Sequence, residues 1–111
     1  MITFIAHVRV KRANAAAFES LMSYVAAKTN EHEPGVAYYE FAKSVEDPES
    51  YVVIEVYRDA LAQKEHMQAE WVRESLPKAV RLMEGQPDIR QYVSEGAEPV
   101  RQRIMNRAVP K

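Results

Sequence analysis

Hydrophobic positions along the chain change period in an order that reads as a fold. Over residues 2–11 the period is two, with Phe4, Ala6, Val8 and Val10 on one side and Thr3, Ile5, His7, Arg9 and Lys11 on the other. That alternation predicts a strand. From about Asn14 the spacing turns helical: Phe18, Leu21, Met22, Val25 and Ala26 share a face, away from Glu19, Ser23 and Lys28. Pro34-Gly35 is expected at the centre of a type II turn, with the glycine supplying the positive φ. Residues 36–44 and 50–58 are rich in Val, Ile and Tyr and flank a polar connection, which predicts a β-hairpin. Asp59 is expected to cap a helix running through Leu61 and His66. Helical spacing continues at Val72, Leu76, Val80 and Met83, with a kink or split expected at Pro77. The stretch from Gly85 to Asp88 closes the helix, and residues 89–93 predict a last strand.

The order is β-α-β-β-α-β. It predicts an α+β, ferredoxin-like domain: a four-stranded antiparallel sheet with two helices on one face. Residues 1–95 are assigned to that domain and 96–111 to a C-terminal extension.

The hairpin strands carry apolar residues on both faces, whereas two helices cover only one. A second copy of the chain is the simplest cover for the other face, which predicts a homodimer. His7 falls on that second face and is expected in the dimer contact. In the extension, Arg101, Arg103, Arg107 and Lys111 follow the last acidic residue, Glu98. Residues 100–105 are expected either as a short helix on the partner subunit or as part of a basic tail.

Composition narrows the chemistry. The 111 residues carry 15 basic and 16 acidic side chains, a formal net charge of −1, without the basic excess of a nucleic-acid module. With no cysteine, disulfides, iron–sulfur centres and cysteine nucleophiles are excluded. No apolar run approaches the roughly 20 residues of a membrane span, and the expectation is a soluble cytoplasmic domain. Three glycines and no phosphate-loop, dinucleotide or metalloprotease motif leave nucleotide, flavin and phosphoryl-transfer chemistry unsupported.

Four side chains then draw attention. His32, between Glu31 and Glu33, is expected in a solvated loop. His66 has Glu70 four residues on, a hydrogen-bond partner if one helix carries both. An imidazole there takes or returns a phenolic or enolic proton, or is simply a helix histidine. Glu55 is a carboxylate in an apolar strand, expected either to pair with Arg9 or to serve as a general base. Trp71, with Met67 and Tyr57, is expected to line an apolar aromatic pocket or to belong to the core.

Taken together, Glu33-Pro34-Gly35-Val36 with Tyr39 and Phe41, then Asp47-Pro48, then Val53-Ile54-Glu55-Val56-Tyr57, then residues 62–66 resemble the antibiotic biosynthesis monooxygenase (ABM) family, which also takes in quinol monooxygenases. The resemblance implies a dimeric α+β barrel that oxygenates phenols or quinols without metal or flavin. Glu55, Tyr57 and His66 match the family's recurrent Glu, aromatic and His. Trp71 stands where members commonly carry a second histidine. Haem-degrading relatives use an Asn on the first strand and a Trp–His pair on the second helix. Here His7 or Val8, His66 and Leu76-Pro77 stand at or near those positions, so haem is not implied.

The resulting expectation is a cofactor-independent monooxygenase of a small phenolic or quinol-like aromatic. His66 transfers the proton, and Glu55 and Tyr57 orient it or the substrate. Trp71, Phe4, Met67 and Tyr39 bind substrate, and no metal or cofactor is called for. The alternatives are a non-oxidative isomerase or cyclase of the same superfamily and a non-enzymatic dimeric ligand-binding or stress-response barrel. Dependence on O₂ separates the first two.

Overall fold

A computed structural model describes residues 1–101 of the chain. The elements are β1 (Ile2–Arg9), α1 (Arg12–His32), β2 (Val36–Lys43), β3 (Ser50–Tyr57), α2 (Ala60–Gln68), α3 (Glu70–Leu82) and β4 (Asp88–Val93). The strands form one antiparallel sheet in the order β2-β3-β1-β4. This is the ferredoxin-like α+β arrangement that the alternating and helical periods predicted.

β1 is an interior strand, and its inward row of Ile2, Phe4, Ala6 and Val8 is buried with Phe18, Met22, Val25 and Ala26 of α1. Tyr51, Val53 and Tyr57 of β3 join the same layer, as do Val72 and Ala79 of α3. The Tyr51 hydroxyl donates to Glu19 at 2.5 Å and ties the hairpin to α1.

Five local expectations are corrected. First, α1 starts at Arg12 rather than near Asn14 and runs on through Glu31 and His32, which were expected in a loop. Second, a β-bulge between Val36 and Tyr38 breaks the alternation of β2. Val36 and Tyr39, which strict alternation would put on opposite faces, therefore both turn towards the helices, and Tyr38 is left 49% exposed.

Third, the helical segment divides at Ala69 and not at Pro77. Ala69 is extended (φ −64°, ψ 143°) and ends α2 while starting α3. Pro77 lies inside α3 on its exposed side. Arg73, whose carbonyl loses its intrahelical donor there, is likewise exposed, on a side of the helix where water can serve as donor. Fourth, the buried stripe of α3 is Val72, Ser75 and Ala79, and Val80 is exposed.

Fifth, Gly35 does not adopt a positive φ; Gly85 and Gly96 do. The turn at Pro34-Gly35 is closed by Val36 N–H donating to the Glu33 carbonyl at 3.0 Å. Glycine is required at position 35 by packing: a Cβ there would lie 2.7 Å from the Cβ of Ala62. This contact brings the start of α2 down onto the turn after α1, which sets up the site.

Asp59 caps α2 as expected, accepting from Ala62 N–H at 2.9 Å. In the extension, the Gln91 side-chain amide mimics a strand partner for Val100, donating to its carbonyl at 2.8 Å and accepting from its N–H at 2.7 Å. Val100 thus packs on its own chain's core. The rest of the helix expected over residues 100–105 lies outside the described residues, apart from Arg101.

Candidate active site

Strand register places Phe4 of β1 and Tyr39 of β2 directly beside Glu55 of β3. All three side chains face the helices, Tyr39 because of the bulge. Tyr57, two residues along, donates its hydroxyl to Glu55 at 2.5 Å. Its ring lies edge-on to Phe4, with centroids 5.9 Å apart. The His66 ring, 2% exposed, descends from the last turn of α2. It sits 5.0 Å from the Tyr39 ring and 5.5 Å from the Tyr57 ring.

Behind His66 lies Glu33. Its backbone closes α1, donating to the Thr29 carbonyl at 3.0 Å, and its side chain turns inward to 11% exposure. His66 Nδ1 lies 2.9 Å from Oε1 and 3.2 Å from Oε2. Trp71 Nε1 donates to Oε2 at 2.7 Å. The break at Ala69 makes this possible, since it restarts the chain so that Trp71 in the first turn of α3 points back at Glu33. The same break parts His66 from Glu70, the partner expected for it. On the outer side, the His32 ring tilts over Trp71 at 5.3 Å.

Glu55 does not pair with Arg9. The β1–β3 register puts Arg9 opposite Ser50, five positions away from Glu55, and Arg9 binds Asp47 at 2.7 Å and Glu49 at 3.3 Å instead. Without a cationic neighbour of that kind, burial pushes the Glu55 carboxyl above the usual carboxylate range. The Tyr57 hydroxyl and the His66 ring pull it back, and the charge of Glu33 adds to the rise. Burial likewise pushes the Tyr57 phenol up, and the neighbouring Glu55 charge pushes it further. Tyr39 rises by burial and then by the charges of Glu55 and Glu33. Both tyrosines are therefore neutral hydrogen-bond donors at any physiological pH.

Glu55 and Tyr39 stand at the wall of an apolar cavity of about 90 Å³ between the sheet and the helices α1 and α3. Met22, Val25, Val72 and Ala79 supply apolar wall, and Ser75 is the other polar residue in the lining. Among the described residues, the hydroxyls of Tyr39 and Ser75 make no hydrogen bond. A cleft of about 220 Å³ lies on the far side of Glu33, bounded by His32, Gly35, Ala62, Glu65 and Trp71.

The structure thus gathers His66, Glu55, Tyr57, Tyr39 and Phe4 into one cluster and attaches Trp71 to it through Glu33. Met67 is 39% exposed and lines neither cavity. His7 lies exposed on the open sheet face. Sequence reasoning passed over Glu33 and Ser75. Glu33 had a signal, the Glu-Pro-Gly run, whereas a single serine in an amphipathic helix has none. Among the described residues no three His, Cys, Asp or Glu side chains are placed to hold a metal ion. No described helix is long and apolar enough to cross a membrane.

The fold has counterparts. Over 82% of this chain and 86% of the other, the structure is similar to that of a "putative antibiotic biosynthesis monooxygenase" from Caulobacter crescentus CB15, with 30% identity and a TM-score of 0.78. A protein of the same description from Nitrosomonas europaea shares the fold at 19% identity and a TM-score of 0.80, covering 86% of this chain and 99% of that one. A conserved protein from Methanosarcina mazei Go1 does so at 21% identity and 0.76, over 82% and 89%. No curated protein matches the sequence. The family model described as "Antibiotic biosynthesis monooxygenase" matches residues 1–78, the span that holds β1 to β3, His66 and Trp71, and the chain belongs to that family.

Proposed function

We propose that the chain is a monooxygenase of a small phenolic or quinol-like aromatic, bound in the apolar cavity against Glu55 and Tyr39. The observation that carries this reading is a carboxyl of raised proton affinity set in a largely apolar wall. Such a group takes a proton from a weak acid held beside it and returns it later. Tyr39 and Ser75 offer free hydroxyls to orient an oxygen-bearing ring.

The chemistry balances with O₂ as co-substrate. Glu55 takes the phenolic proton, and the resulting phenolate passes one electron to O₂. The radical pair combines, forming a C–O bond at a ring carbon and a hydroperoxide. Loss of the ring C–H proton with cleavage of the O–O bond then yields a quinone carbonyl and water. Protein groups supply a dry site, positioning and proton transfer. His66 serves as the second proton-transfer group.

The resting cavity is smaller than the roughly 150 Å³ that accepts benzene in a well-known engineered case. A ring enters by displacing Met22 and Met83, which line the cavity and adapt readily. Monocyclic substrates are therefore favoured over fused rings. The test is O₂ uptake with a series of one-, two- and three-ring quinols. Uptake matched one-to-one by quinone formation and fastest for one ring supports the reading. Turnover that continues unchanged under nitrogen removes it and points to an isomerase or cyclase.

A homodimer belongs to the same reading. Val52, Ile54 and Val56 on β3 and Ile5 on β1 share the open sheet face with Tyr38 and Tyr92, which are 49% and 55% exposed. A second copy covers this row in the proposal, and sedimentation as a monomer at micromolar concentration would exclude it. A near-neutral chain of this kind is read as cytoplasmic and without nucleic-acid partners.

A further inference from the structure

We propose that Glu33 is a positioning residue: it holds His66 in the Nδ1–H form and leaves Nε2 as the site's open proton acceptor. The part it plays in turnover rests on the reaction class proposed above, whereas the protonation pattern of the ring does not.

A carboxylate only accepts hydrogen bonds, and an indole N–H only donates. Trp71 Nε1–H therefore occupies Oε2 of Glu33 at 2.7 Å and orients the carboxylate. The remaining oxygen, Oε1, meets His66 Nδ1 at 2.9 Å, so Nδ1 carries the hydrogen. In a neutral imidazole the other nitrogen then has a lone pair. Among the described residues Nε2 makes no hydrogen bond. The ring lies 5.0 Å from that of Tyr39 and 5.5 Å from that of Tyr57, near enough to Glu55 to act on its carboxyl.

The carboxylate is well fixed for this task. Its own N–H is bonded to the Thr29 carbonyl, its own carbonyl accepts from Val36, and Pro34 follows it. A histidine free in water favours the Nε2–H form, so the contact with Glu33 selects the less common one. An acceptor that holds one imidazole nitrogen is the usual device for making the other nitrogen basic and aimed.

The experiment uses the full chain labelled with ¹⁵N at histidine, compared with Glu33→Gln and His66→Gln. The His66→Gln spectrum identifies the His66 signals among the three histidines. With the ring in its neutral form, the unaltered chain is expected to show a protonated Nδ1 and an unprotonated Nε2. Glu33→Gln, whose amide keeps the shape but offers one acceptor oxygen for two donors, should move the population towards Nε2–H. A neutral ring with its hydrogen on Nε2 in the unaltered chain, or no change in Glu33→Gln, overturns the proposal whether or not any substrate is turned over.

With a quinol in hand, Glu33→Gln should lower kcat about tenfold or more, with KM little changed, and should cost nothing further in a His66→Gln background. Losses that multiply would show Glu33 acting apart from His66 and sink the positioning role. Failure of the quinol reaction alone would leave the ¹⁵N result intact.

Discussion

Glu55→Gln is expected to lower turnover by about 10²–10⁴-fold, the usual contribution of a positioned acid–base group, and to leave the fold intact. Glutamine keeps the side-chain oxygen that accepts from the Tyr57 hydroxyl, so the 2.5 Å contact has a neutral substitute. The same change should make stability less sensitive to alkali. The folded chain holds the Glu55 proton more tightly than the unfolded chain does, because burial raises the carboxyl above its ordinary value. Between those two values the folded state binds more protons, so stability falls as pH rises through the interval. Glutamine has no proton to lose. Thermal melts at pH 4 and pH 8 should therefore show the unaltered chain losing ground against Glu55→Gln as pH increases. A difference in Tm that ignores pH, or that runs the other way, would mean Glu55 is not held in a desolvated site.

Glu33→Ala should be the most destabilising change in the site, by about 3 kcal/mol. It strands two donors, His66 Nδ1–H and Trp71 Nε1–H, and each unpaired buried donor costs about 1–3 kcal/mol. Water from the adjacent cleft of about 220 Å³ recovers part of that, which keeps the sum from the upper limit. For a domain of this size the loss corresponds to a fall in Tm of roughly 12–24 °C. Urea denaturation with an unchanged m-value is the measurement. A loss below about 0.5 kcal/mol would show that the carboxylate is dispensable to the two rings. Glu33→Gln should fall between the two, since its amide oxygen still serves one donor.

The sheet and its helical cover were legible because alternation and helical spacing report directly which side is buried. The site was legible in part. His66, Glu55, Tyr57, Tyr39 and Phe4 were all expected in it, and they do meet. What joins them was hidden for definite reasons. A bulge of one residue between Val36 and Tyr38 turns Tyr39 inward, and no alternation rule registers an inserted residue. The break at Ala69 uses an alanine, the strongest helix former, so propensity argued against it. Glu33 sits in a run of polar residues that resembles a solvated helix end. Only the turn of the backbone at its own position swings its side chain away from Glu31 and into the protein. Gly35 was read as a conformational glycine when its role is close approach. Each miss is a tertiary constraint acting on one residue.

Trp71 is the single tryptophan of the chain. Its indole N–H rests on the carboxylate that holds His66, and its face lies against the His32 ring. The chain's tryptophan emission, excited at wavelengths that its six tyrosines do not absorb, therefore comes from one indole built into the candidate site. Ionisation of its neighbours, arrival of a ring in the cavity and loss of the fold each alter that one environment. All three are open to fluorescence titration without a label.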